Sequence, residues 1–311
     1  MCFRFIPLRS ACLAVICALL ASCGGGEPAS EEDDSAPAKD DQGDTEREGR
    51  DGAIKAQLVQ ARRDAENAMA DRDWPLARKL LNDALQQAKQ AGHDFEIERA
   101  RMLLLIGDVE REGGTELDAR RYYADAMAVY RVQGDDQGRF TVHLSQGDLE
   151  AGRGDYAAAA REYDAAEALL GAVEDRRLEG EFLIRKGKLA SRQMRHSDAI
   201  EAFAEAAKLF DIIKNRRARA EALLALAGEE DALDNERNCR RALDKALSIF
   251  RDVGDKDGEV RALHKAASLA VRAKQYRKAR KLLKKVRELY LALDRQSDAT
   301  KVLQHLSALP E

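Results

Sequence analysis

The residues of this chain best equipped for chemistry stand apart from one another. His93, His143, His196, His264 and His305 fall at unrelated positions among 311 residues. No HExxH, CxxC, GxSxG or phosphate-loop pattern occurs. Asp255-Lys256-Asp257-Gly258 has the acid-and-glycine look of a calcium loop. Val253 holds its first ligand place and His264 its twelfth, however, so the oxygen cage that calcium needs is not supplied. Cys2, Cys12, Cys17 and Cys23 crowd the N-terminus, which leaves Cys239 alone in the body of the chain with no disulfide partner. No set of acid, base and nucleophile can be named, so neither an enzymatic activity nor a cofactor or metal is expected.

What remains is recognition by charge and shape. Charged residues make up 35% of the chain, yet from residue 55 onward 47 bases meet 45 acids, so no overall basic field exists for nucleic acid. One run departs from this balance. Arg272, Lys274, Arg277, Lys278, Arg280, Lys281, Lys284, Lys285 and Arg287 occur without an intervening acid. Leu282, Leu283 and Val286 interleave as a buried stripe, so the bases ring the exposed side of a helix. The run reads either as a solvated face or as a patch around Lys278, Lys281, Lys284 and Lys285. Such a patch would suit anionic lipid, cell-wall polymer or an acidic protein segment.

These residues must be positioned by a repeat. Gly107, Gly147 and Gly187 are 40 residues apart, and the step continues to Ala227 and Ala267. Three further columns keep the same register: Ala119, Ala159, Ala199, Cys239, Ala279; Tyr123, Tyr163, Phe203, Leu243, Leu283; and Ala126, Ala166, Ala206, Ala246, Val286. Cys239 thus occupies a column that wants a small buried side chain. Each unit shows two helical patterns and a short break. In the third unit the first helix is expected through about Arg139–Gly152. Asp155 is its successor's N-cap, and the second helix runs over Ala157–Gly171. Ala159, Tyr163, Ala166, Leu169 and Leu170 form its buried stripe. A first unit fits 42 residues upstream, with Ala65, Trp74, Ala77, Leu81 and Ala84. The residues from Thr300 to Leu309 resemble a truncated first helix that covers the end of the stack.

This pattern resembles the tetratricopeptide repeat. Gly147, Ala159, Tyr163 and Ala166 occupy that family's small, small, large and small places, and the neighbouring units repeat them. The resemblance implies an all-α solenoid of helical hairpins, a right-handed superhelix of about six units plus a C-terminal capping helix over residues 53–309. The period is 40 rather than the family's usual 34, the extra residues falling in loops such as Gly134-Asp135-Asp136-Gln137-Gly138. In this family the first helices line a concave face that takes a protein or peptide. Carried over unit by unit, the candidates here are Arg101, Asp108, Arg111, Asp148, Glu181, Arg185, Lys188, Arg192, Glu221, Arg261, His264 and Lys265. The carboxylate clamp of chaperone-binding members is not reproduced, because Asp108, Asp148, Lys188, Gly228 and Ser268 fill the column where asparagine is expected.

The N-terminus carries an address. Arg4 and Arg9 precede an apolar stretch, Ala11–Ala21, too short to span a bilayer. It ends in Leu20-Ala21-Ser22-Cys23, which resembles the lipobox of bacterial lipoproteins. That resemblance implies a signal peptide over residues 1–22, lipidation at Cys23 and membrane anchoring. Gly24 in place of an aspartate implies an outer-membrane destination facing the periplasm. Residues 23–52 read as an acidic, disordered tether, with 11 acids against 3 bases between Glu27 and Asp51. The expected function is a membrane-anchored scaffold for protein–protein interaction in a bacterial cell-envelope assembly. The alternative is a regulator or accessory subunit of a cell-wall enzyme.

Overall fold

The computed structural model describes residues 41–310. The expected signal peptide, Cys23 and the first part of the tether lie outside the described residues. Thirteen α-helices follow one another there, and no strand occurs among the described residues. They are α1 (Asp41–Ala70), α2 (Trp74–Ala91), α3 (Glu96–Gly113), α4 (Glu116–Gln133), α5 (Asp136–Arg153), α6 (Tyr156–Glu167), α7 (Arg176–Arg192), α8 (His196–Ile212), α9 (Arg216–Ala232), α10 (Glu236–Asp252), α11 (Lys256–Arg272), α12 (Tyr276–Ala292) and α13 (Gln296–Ser307). From α2 onward each helix packs on the next, which makes a solenoid of hairpins with tetratricopeptide-like packing. Helix α13 lies on α12 and buries Ala299 and Val302, so the stack is capped as expected.

The four columns form the seams between helices. Ala119, Ala159, Ala199, Cys239 and Ala279 are fully buried, as are Ala126, Ala166, Ala206, Ala246 and Val286. Burial raises the pKa of the Cys239 thiol, in keeping with a packing role. The glycine column faces the aromatic column directly. A Cβ on Gly107, Gly147 or Gly187 would lie 2.5, 2.3 or 2.6 Å from the ring of Tyr123, Tyr163 or Phe203. Where the large residue is leucine, the small one is alanine: Ala65 with Leu81, Ala227 with Leu243, Ala267 with Leu283. Each hairpin therefore holds one of two volume-matched layers.

The turns are as regular as the helices. A residue with positive φ stands at Gly134, Gly154, Met194, Lys214, Asp234, Gly254, Lys274 and Asp294, one every 20 residues except where 174 would fall. At each, two backbone bonds close the helix end. At Met194, for example, Met194 N–H donates to the Ser191 carbonyl at 3.0 Å and Arg195 N–H to the Ala190 carbonyl at 2.8 Å. This is the Schellman arrangement, which favours glycine at its left-handed position. Several turns then lead straight into an N-cap, as at Asp155, whose side chain accepts from Ala158 N at 2.9 Å. Lys214 is an exposed non-glycine residue at φ 59°. Lys214→Gly should raise stability by ~0.5–1 kcal/mol by removing the left-handed penalty on a Cβ. A urea midpoint unchanged or lower would contradict this.

Two expected boundaries are corrected. The array's first helix starts at Asp41 and not near Ala53, so residues 41–52, expected as tether, are helical. Pro28 and Pro37 lie upstream of this stretch, and its acids suit the positive end of a helix dipole. The second helix of the third unit stops at Glu167 and not Gly171. No left-handed turn follows. A short 3-10 turn, Leu170–Ala172, intervenes, and Leu169, Leu170 and Val173 fold back onto the cluster of Phe140, Tyr163, Leu178 and Phe182. Burial of these aliphatic side chains wins over continuation of the helix.

Candidate binding groove

A groove of roughly 880 Å³ runs across the first helices of successive hairpins, α5, α7, α9 and α11. Seven of the twelve expected residues line it: Asp148, Glu181, Arg185, Lys188, Arg192, Glu221 and Arg261. Its apolar floor comes from Ile184, Leu189, Phe210, Ala218, Leu224 and Ala225. The floor was not anticipated. Its signal was available in the 40-residue register, which aligns Ile184 with Leu224 and Glu181 with Glu221 and Arg261.

The charges in the groove divide into paired and unpaired. Asp148 accepts from the Tyr163 hydroxyl at 2.7 Å and from Arg185 Nε at 2.9 Å, which ties α5 to α6 and α7. Glu181 accepts from Arg177 Nη1 at 2.8 Å. Glu221 accepts from Arg261 Nη1 at 2.8 Å, and this bond raises the pKa of the Arg261 guanidinium. Every groove carboxylate is thus occupied. Lys188 and Arg192, one turn apart on α7, are exposed and make no ion pair among the described residues.

The residue after each column glycine follows from its layer. Asp108 and Asp148 stand where the large residue is tyrosine and accept its hydroxyl, at 2.8 and 2.7 Å. The third layer has Phe203, with no hydroxyl to satisfy, and there the position is Lys188, which projects into the groove. Asp108, expected to face outward, turns onto Tyr123 instead. Its side chain is only 18% exposed and packs against Tyr123, with Arg111 Nε 3.8 Å away. Burial raises the Asp108 pKa despite that guanidinium. Asp108 and Arg111 are therefore committed within α3 and α4 and do not line the groove.

The remaining expected residues also lie apart from it. Arg101 pairs with Glu98 at 3.4 Å and lines a smaller hollow with Tyr130 and Gln137. His264 packs on Tyr290, its pKa lowered by burial and by His305. Lys265 pairs with Asp231 at 2.7 Å. On α12, Lys278, Lys281, Lys284 and Lys285 are all exposed, and none lines the groove. Lys285 lies 3.7 Å from Glu259, and the other three make no ion pair among the described residues.

Burial and the neighbouring carboxylate push the Tyr163 phenol far above its ordinary pKa, so it stays a hydrogen-bond donor. No histidine or cysteine lines the groove, and no metal-ligand cluster occurs among the described residues.

Residues 175–308, less than half of the chain, match the family described as soluble NSF attachment protein, SNAP. No curated protein matches the sequence. Among solved structures the chain is similar to the apo form of RapI, with a TM-score of 0.68 at 15% identity, over 81% of this chain and 70% of that one. It is similar to a Rap protein complexed with competence and sporulation factor, with a TM-score of 0.59 at 13% identity, over 81% and 74%. It is also similar to a signal-transduction ATPase with a tetratricopeptide repeat sensor from Pyrococcus horikoshii, with a TM-score of 0.63 at 16% identity. That match covers 76% of this chain but 36% of the ATPase, so the chain spans about a third of that protein's length. What these structures share with it is the fold.

Proposed function

We propose that this chain is a membrane-anchored scaffold that holds a segment of a partner protein in the α5–α7–α9–α11 groove, within a bacterial cell-envelope assembly. One observation carries the groove reading. An apolar floor is flanked by two cations that nothing in the array neutralises, while every carboxylate beside them is already paired. Such a site favours a segment with aliphatic side chains over Ile184 and Leu224 and carboxylates opposite Lys188 and Arg192. Anchoring rests on the Leu20-Ala21-Ser22-Cys23 sequence, with Cys23 as the lipidated residue, and Gly24 favours an outer-membrane destination.

The test uses a photoreactive amino acid at Leu224 in intact cells, with one at exposed Arg161 as control. A discrete adduct is expected from position 224 alone, and Ala225→Trp, which fills the floor, should abolish it. Reversing Lys188 and Arg192 to glutamate should weaken it by about tenfold or more. Identical adducts from both positions, or none, would remove the groove reading. In the same cells a clickable palmitate analogue should label the wild type and not Cys23→Ser, and an unlabelled wild-type protein would remove the anchor.

A further inference from the structure

The outer side of the last two full hairpins differs from the rest of the array. Helix α10 exposes Arg237, Arg241 and Lys245, one turn apart, and α12 exposes Arg277, Lys281 and Lys285 at the same places 40 residues on. Lys274, Lys278 and Lys284 are exposed beside the second rank. One hairpin earlier, on α8, these places hold Ser197, Glu201 and Glu205. The basic face therefore begins abruptly at α10.

Its energetics point outward. Like charges one helical turn apart destabilise a helix, and both ranks stack three of them. Elsewhere several cations are matched across hairpins, as Arg153 is with Glu116 at 2.9 Å and Arg216 with Asp252 at 2.6 Å. Among the described residues, Lys285 alone of the two ranks makes an ion pair, with Glu259 at 3.7 Å, although exposed Glu236 adjoins Arg237 at the start of α10. Asp244 is the one exposed acid between the cations of α10, and Glu288 follows those of α12. An unrelieved cluster of this kind is relieved by an external polyanion.

Its shape selects among polyanions. The face is the backs of two helices; the hollow on it lies among side chains of α10 alone, including Arg237, Arg241 and Lys245, with no second helix to wall it, and the lining of the groove includes none of the face. No exposed aromatic side chain lies between the cations to stack on a nucleobase. Along α12 the stripe of Arg277, Lys281 and Lys284 passes exposed Glu288 and reaches Leu291, an aliphatic side chain 42% exposed. A peptide needs a cleft for its backbone, whereas a plane of phosphates with apolar material beneath needs only such a face. We infer that the outer faces of α10 and α12 dock on an anionic phospholipid bilayer, independently of the groove.

The test is flotation of the full chain with vesicles of phosphatidylcholine containing phosphatidylglycerol, read as a ratio to phosphatidylcholine alone. The ratio cancels membrane affinity from any other part of the chain. The ratio should be well above one and fall as salt rises, because exposed charges are screened within ~8 Å at physiological ionic strength. Joint Lys→Gln changes at 278, 281, 284 and 285 should cut the ratio by about six-hundredfold, at roughly fivefold for each of the four lysines near an anionic surface. The same four charges removed at exposed Lys55, Lys79, Lys89 and Lys208 should leave it within about twofold, since they lie off the face. Equal loss in both variants would overturn the inference. So would a ratio near one, or tighter binding to poly-glutamate or duplex DNA than to the anionic vesicles at matched charge.

Discussion

Gly147→Leu should cost the array ~3 kcal/mol or more, the upper end for overpacking. A Cβ at this position would sit 2.3 Å from Tyr163 Cε1, well inside contact distance. The ring cannot swing away. It is buried, and its hydroxyl is held by Asp148 at 2.7 Å, which in turn is held by Arg185. Relief requires either breaking that network or parting α5 from α6, and both expose core. Gly152 on the same helix has nothing within 4 Å of its own Cβ position. Gly152→Ala should therefore stabilise by up to ~1 kcal/mol through helix propensity. Urea unfolding followed by circular dichroism compares the two. A tolerated Gly147→Leu would mean that the layer is not packed as described.

Phe203→Ala should destabilise by ~3–5 kcal/mol, because the ring is buried and its removal leaves a cavity against a glycine. A milder pair of changes tests the layer itself. Gly187→Ala overpacks Phe203, and Phe203→Leu underpacks Gly187. Together they recreate the layer seen at Ala227 with Leu243 and Ala267 with Leu283. The double variant should be more stable than the sum of the singles predicts by ~1–2 kcal/mol. Strict additivity would show that the two positions do not share a layer.

The layers were legible in the sequence because a close helix contact tolerates few volumes. Gly107, Gly147 and Gly187 had no freedom to drift, and neither did the alanines of the second and fourth columns. Seven groove-lining residues had been carried over from the tetratricopeptide resemblance, and Glu181, Glu221 and Arg261 among them fall on the same 40-residue step. What escaped were competitions between local and tertiary forces. Leu169 and Leu170 continue the apolar stripe of α6, so periodicity carries the helix through them, while the structure half-buries them at a short 3-10 turn. Asp108 looks like any exposed acid of a first helix until the Tyr123 hydroxyl is seen to claim it. The acidity of residues 41–52 indicated solvent and not conformation, and a solvated helix has that composition too.

The missing left-handed turn after α6 has a consequence for cooperativity. Helix α6 has 12 residues where α8, α10 and α12 have 17, and residues 168–175 replace the short Schellman turn used in later hairpins. In a quasi-one-dimensional array the coupling between neighbours decides how far an unfolding event spreads. Here an apolar cluster of Leu169, Leu170, Leu178 and Phe182 takes the place of that turn, and unfolding is expected to halt most readily between two blocks, α1–α6 and α7–α13. Each contains the three hairpins that such a stack needs to stand alone. The SNAP family match, which starts at residue 175, coincides with the second block. The groove crosses this boundary, because Asp148 belongs to the first block and Arg185 to the second. A segment seated there would act as a splint, and the two blocks would then melt as one.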